Sequence, residues 1–415
     1  MAPQYAPSLR SRLAPLLLFL QIGFIVIYYF YVEIENNVNG ITFRNLYSVF
    51  QDLNVMVFLG FGFFSTFLVR YGFSGSGFNL LVAVMATQWA LILNGIESWY
   101  YRGKIWIDMK SLVIAEMCTS LVLISIGAVQ GKTNPVHLVL MALLEVFGFV
   151  LNGWLLQTLL KVRPLNSIML LHIFAAFFGL VLTRVLHRSE TEYEKEKLNR
   201  KTGLFSMLGT VFLWMFWPSF NSILLLEHHS PERRLRAVCS TYLALAVSAV
   251  ASFALSVLSS HKGKVNPTHF LSCLFAGGVA VGVPMPVIHH PWEAMTIGLT
   301  AAVVSTIGFR YFKNHMLFAF DCHDTCSILS THGLPGLLGW LAHLLLQIKH
   351  CDDHTTATRF AVFHISALFI TLSTSLIMGI LTGLVLKWDI WRPPQDKKCF
   401  DDQAYWKFEH LAVCK

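Results

Sequence analysis

The chain has 415 residues, 55% of them hydrophobic and only 13% charged, with a formal net charge of +8. A soluble domain carries about 25% charged residues, so these proportions exclude an ordinary soluble protein, and long unbroken apolar blocks exclude an alternating β-barrel. Lys and Arg fall between the blocks, which reads as topology control and headgroup contact; nucleic acid is not an expected partner.

In chain order, the first apolar block (13–31) follows Arg10 and Arg12. It is too long for a typical signal h-region and lacks a small-x-small cleavage site, so it reads as a retained span. A spanning helix needs about 20 mostly apolar residues. Twelve blocks qualify: 13–32, 49–70, 75–96, 111–130, 136–160, 167–186, 204–226, 236–259, 268–288, 292–312, 325–348 and 360–386. The expectation is one polytopic membrane domain over 1–415. An even count puts both termini on one side. Loops on that side hold 20 of the 31 Lys and Arg, which predicts cytoplasmic termini. Segment 33–48 is then an extracellular loop, 187–203 a cytoplasmic loop and 388–415 a cytoplasmic tail. The alternating Glu and Lys of 188–201 predict a solvated helical extension.

Two blocks look like copies. Ser167, Ile168, His172 and Gly179 match Ser327, Ile328, His332 and Gly339 at a constant offset of 160. Five spans separate the two histidines, so the copies run in opposite directions. This gives two inverted five-helix repeats, preceded by an extra first helix and closed by a twelfth. A lone histidine at membrane depth is most simply a core residue bonded to a carbonyl. A matched pair points instead to one shared site on a pseudo-symmetry axis. Facing imidazoles can share a single proton, and burial disfavours charging both.

Other features are less decisive. In the seventh span Trp214, Trp217, Pro218, Phe220 and Asn221 fit either an interfacial aromatic belt or a path lined by Phe220 and Asn221, opened by the carbonyl that Pro218 frees. Gly278 and Gly282, like Gly379 and Gly383, read as close helix packing without a ligand role. Glu116 and Glu145 lie near the middle of their spans, as pathway residues or as partners of a neighbouring helix. Eight cysteines imply no disulfide framework. The Cys322-His323-Asp324-Thr325-Cys326 loop lacks a second ligand pair at zinc-type spacing. No cofactor is expected, and no nucleophile triad, phosphate loop or HExxH supports an enzyme.

The string from His172 to Leu180, the block 214–222, the block 276–282, Asp324-Thr325-Cys326 and His332-Gly333-Leu334-Pro335-Gly336 resemble the Rh family, relatives of the ammonium transporters, over nearly the whole chain. The tail 400–413 is similar to the non-glycosylated Rh blood group branch of red cells. The chain has no Asn-x-Ser/Thr acceptor with x other than Pro. The resemblance implies an all-α, ammonium-transporter-like fold and a plasma-membrane channel with His172, His332, Phe220, Asn221, Met117 and Phe174 at the pore. It implies ammonia or ammonium as substrate, with carbon dioxide as an alternative gas. It also implies a homotrimer or a mixed trimer with a glycosylated Rh protein, and a membrane-skeleton adaptor on the tail. A structural, transport-poor subunit of a red-cell Rh complex is the rival. The chain departs from the family pattern at Pro164, where channels carry Asp, at Gly153, aligned with an outer Glu, and at Met117, aligned with an outer Phe.

Overall fold

Apolar helices form most of the chain in a computed structural model that describes residues 9–36, 40–187, 200–225, 231–351, 353–391 and 399–408. In hydrocarbon every backbone N–H and C=O must be satisfied within the segment, which leaves the helix as the solution for continuous apolar blocks. Among the described residues nine helices are long and apolar enough to cross a membrane: Leu9–Tyr31, Phe43–Phe64, Gly72–Arg102, Met109–Val129, Pro135–Leu160, Arg200–Ser222, Pro231–Leu258, Pro291–Phe320 and His354–Leu386. Three shorter helical segments, Leu171–Val185, Pro267–Gly282 and Leu334–Lys349, occupy the remaining expected positions as the sixth, ninth and eleventh.

The sequence sets the starts of several helices. Asp108 accepts from the Ser111 N–H at 2.7 Å while the Ser111 hydroxyl accepts from the Asp108 N–H, a reciprocal cap for the fourth helix. Asn134 caps the fifth and Asn266 the ninth, each followed by Pro at the first helical position. Asp353 accepts from the N–H groups of Thr355 and Thr356 to start the twelfth. That helix therefore begins six residues before the apolar block does.

Burial separates a centre from a rim. The most apolar window of Met109–Val129 is 89% buried by protein, whereas that of Leu9–Tyr31 is 6% buried. The fourth helix is thus core, and the first presents its side chains outward. The main core cluster joins Leu121, Val122, Met141, Phe149, Phe174, Phe178, Trp217, Phe220 and Phe275. Gly379 and Gly383 do what close packing requires: a Cβ on either would lie 3.0 Å from Phe178 O or 2.6 Å from Val185 Cγ1 of the sixth helix.

Two expected boundaries are corrected. Segment 33–48 is not only loop. Val32–Ile34 pairs in parallel with Ile105–Ile107, and a helix runs from Gly40 to Asn54. Its polar residues hid it from a hydropathy reading, but Asp52 is satisfied by the Ser219 hydroxyl at 2.5 Å. The seventh helix begins at Arg200, inside the expected loop 187–203. Most of the predicted extension 188–201 and the end of the tail lie outside the described residues.

Candidate functional site at the histidine pair

The three short helices are the ones that build the site. The sixth is broken: Pro164–Ile168 forms one turn, and the helix resumes at Leu171. The ninth divides into Pro267–Cys273 and Ala276–Gly282. The eleventh opens with a π-helical turn, Leu329–Gly333, that carries His332. Discontinuous helices at depth are tolerated where they are buried in protein or line a cavity, and π turns recur at functional sites.

His172 and His332 meet with Nδ1 atoms 3.2 Å apart. Their ring centroids are 5.1 Å apart and the planes differ by 18°. The short nitrogen separation at that centroid distance means the rings meet edge to edge rather than face to face. One Nδ1 must donate and the other accept, so the pair holds one proton between its inner nitrogens. Each histidine is 6% exposed, while Ile173 and Phe174 beside His172 are 1% and 0% exposed. Both imidazoles are thus buried among the helices.

Trp217 runs parallel to both rings, at 5.9 Å and 15° from His172 and 6.4 Å and 19° from His332. Phe275 stacks on its far side at 5.2 Å. Phe220 leans over His172 at 5.8 Å and 36°. The structure therefore brings His172, His332 and Phe220 together and adds Trp217, which the sequence reading left between an interfacial belt and a path. The belt reading fails for Trp217, which is 1% exposed; interfacial Trp residues sit at the headgroup level. Phe174 points elsewhere: its ring contacts are Phe149 at 5.4 Å and Phe178 at 6.2 Å. Two residues along a helix from His172, it faces the opposite side. Met117 is fully enclosed in the main core cluster.

Glycines set how closely the seventh and ninth helices pack. A Cβ on Gly278 would sit 2.8 Å from Trp217 Nε1, and one on Gly282 would sit 3.2 Å from Asn221 Oδ1. Asn221 donates through Nδ2 to Gly278 O at 3.0 Å and to Thr241 Oγ1 at 3.2 Å. Both its amide protons thus tie helices together, leaving Oδ1 as the acceptor for anything else. Glu145 pairs with the Ser125 hydroxyl, whose oxygen also lies 3.0 Å from Ala175 O. It joins the fourth and fifth helices, as the neighbouring-helix reading expects. Glu116 is buried on the fourth helix.

The approach to His332 is held by Asp324, eight residues earlier. Its carboxylate accepts from the N–H groups of Ile328 and Leu329, both at 2.9 Å. The loop is anchored to the end of the fourth helix by the Cys326 N–H on Gly127 O at 3.0 Å and by Thr325 on Gln130 O at 3.2 Å. The Cys326 thiol donates to Gln130 Oε1 at 3.0 Å and the Cys322 thiol to Leu180 O at 3.3 Å. Each is engaged with a neighbouring helix rather than with the other.

An all-α membrane protein with broken helices converging on a buried histidine pair is the class of transporter that this fold defines. Similarity settles the family: the profile of the Ammonium Transporter Family matches residues 12–405, and the chain belongs to that family. It is 37% identical to the ammonium transporter Rh type B of Danio rerio, covering 96% of this chain and 94% of that one. It is 38% identical to the Rh type A protein of Bos taurus, over 94% and 93%. The human Rh type C protein is 36% identical, over 96% and 90%. Among solved structures, Nitrosomonas europaea Rh50, described with the mechanism of conduction by the Rhesus family of channels, superposes with a TM-score of 0.77 at 27% identity, over 90% of this chain and 96% of that one. A sensor Amt protein shares the fold, with a TM-score of 0.71 at 15% identity over 88% and 98%.

Proposed function

We propose that this chain is an Rh-type channel that passes neutral ammonia along a path past His172 and His332. The observation that carries the reading is the 3.2 Å approach of the two Nδ1 atoms. It leaves the outer edge of each ring to meet a passing amine as donor or acceptor. Ammonium would release its proton before this point, because desolvating a full charge costs far more than desolvating a neutral molecule. Phe220 gates the approach, with Met117 where channels carry a second aromatic, and the Asn221 Oδ1 lines the route. Membership of the Ammonium Transporter Family and the Rh50 structure support the substrate class. The same proposal includes a plasma-membrane location, both termini in the cytoplasm, assembly as a trimer, and the red-cell setting that the tail suggests.

Ammonia uptake by proteoliposomes tests the reading. Wild-type vesicles are expected to exceed empty ones, and His172→Ala and His332→Ala to change the rate. Uptake equal in wild type, both variants and empty vesicles would refute it.

One observation favours a second reading, a structural subunit of an Rh complex. Pro164 and Gly153 stand where the resemblance expects acids that attract the incoming cation. Under this reading the histidine pair persists but flux matches empty vesicles, and the chain copurifies with a glycosylated Rh partner.

A further inference from the structure

Away from the histidines, a cavity of about 130 Å³ opens where the start of the fifth helix meets the ends of the sixth and twelfth. Lys132, Thr133, His137, His187 and Lys387 line it together with two leucines, and among the described residues no lining residue is acidic. Lys132 is held in place by Thr183 Oγ1 at 2.7 Å, His323 O at 2.5 Å and His323 Nδ1 at 3.2 Å, so it offers the cavity its charge. His137 lies in the first turn of the 26-residue fifth helix, so the positive end of that helix dipole faces the same region. Asp321 lies 3.8 Å from His187 Nε2 and 3.5 Å from Arg184. Drug-sized ligands need roughly 300–1,000 Å³, so this space suits one small group. The positive charges of Lys132 and Lys387, beside the His187 imidazole, favour a compact oxyanion, and Lys serves phosphate as a point charge.

We propose that this cavity binds a phosphate group at the inner headgroup level, carried by an anionic inositol lipid or present as the free ion. The siting rests on the cytoplasmic orientation proposed above, but the chemistry does not. Bound phosphate would bridge the ends of three helices, two of which flank the span that carries His172 or belong to it.

Full-length purified protein is titrated with inorganic phosphate in detergent. In parallel it is reconstituted in phosphatidylcholine nanodiscs with and without phosphatidylinositol bisphosphate, and thermal unfolding is followed. A saturable rise with inorganic phosphate assigns the free ion; a rise only with the doped nanodiscs assigns the lipid. In either case Lys387→Glu, at the exposed helix end, is expected to weaken half-saturation about tenfold, and added salt to weaken it further. Lys132→Met is a second variant, with the same expected loss. No response to either probe, or one unchanged in Lys387→Glu, overturns the proposal. Purified protein binds whichever side the cavity faces, so failure of the orientation shows separately, as a C-terminal tag reachable on intact cells. Failure of the channel reading shows only in uptake.

Discussion

The two halves of the molecule deliver their histidines by different means. Before His332, the buried Asp324 carboxylate takes the N–H groups of Ile328 and Leu329, both at 2.9 Å. Before His172, the matching position is Pro164, the first residue of a short turn. There the Met169 N–H, the equivalent of the Leu329 N–H, relies on backbone alone and reaches Asn166 O at 3.3 Å. Pro needs no cap for its own nitrogen and presets φ. The repeat therefore conserves where the imidazole goes while exchanging a charge-assisted cap for a stiff ring. The same exchange removes a negative charge from one side of the site only.

The comparison breaks most sharply at Asp324. Asp324→Ala removes two buried hydrogen bonds to a carboxylate and is expected to cost about 3 kcal/mol, seen as a lower unfolding midpoint in detergent. Pro164→Ala should cost much less, since no side-chain bond is lost. Equal effects would mean that Asp324 is not what holds its half.

Next in size is the shared wall behind both halves. Gly278→Leu drives a side chain into Trp217 and is expected to cost about 1–3 kcal/mol and to lower uptake. Gly153→Glu sharpens the contrast from the other side. A Cβ there meets only Ser167 Oγ, at 3.4 Å, so the acid fits. Combined with Pro164→Asp, it is expected to raise ammonium capture, read as a lower half-saturating concentration, with stability changed by about 1 kcal/mol or less.

The smallest effect lies in the tail. Asp402 accepts from Phe73 and Ser74 at the start of the third helix, and Trp406 donates to Ser74 Oγ at 3.0 Å. Burial pushes the Asp402 carboxyl above the usual carboxylate range, against the hydrogen bonds from Ser74 and Phe73, which pull it down. A value raised on docking contributes most below the ordinary carboxylate pKa of about 3.9 and is lost as pH rises through the raised value. Amide exchange at 399–406 should therefore speed up over that window, beyond the intrinsic rise with pH. Asp402→Asn should remove this excess while leaving both histidine halves unchanged.

Much of this was legible in the sequence because membrane depth makes polarity costly. His172 and His332 stand out of apolar runs, and their offset of 160 gave the inverted duplication. Phe220 was legible beside Pro218. The role of Trp217 was not, because an aromatic in a span is equally at home at an interface, and only the close approach of the ninth helix at Gly278 shows it packed inward. Asp324 matched the family string, but nothing in its spacing told a cap from a ligand. Phe174 was placed at the pore by the resemblance, although its two-residue spacing from His172 on one helix already points it to the opposite side. The start of the second helix was hidden because residues 40–48 include Arg44, Asn45 and Ser48, which interrupt an apolar run.

Charge movement during transport tests the central claim most directly. Proteoliposomes adsorbed to a solid-supported membrane receive an ammonium step while internal pH is followed. If two buried imidazoles sharing one proton pass only the neutral molecule, the interior becomes alkaline in wild type with no protein-dependent current. A sustained current that scales with protein and disappears in His172→Ala or His332→Ala would mean that the cation itself crosses, contradicting the account.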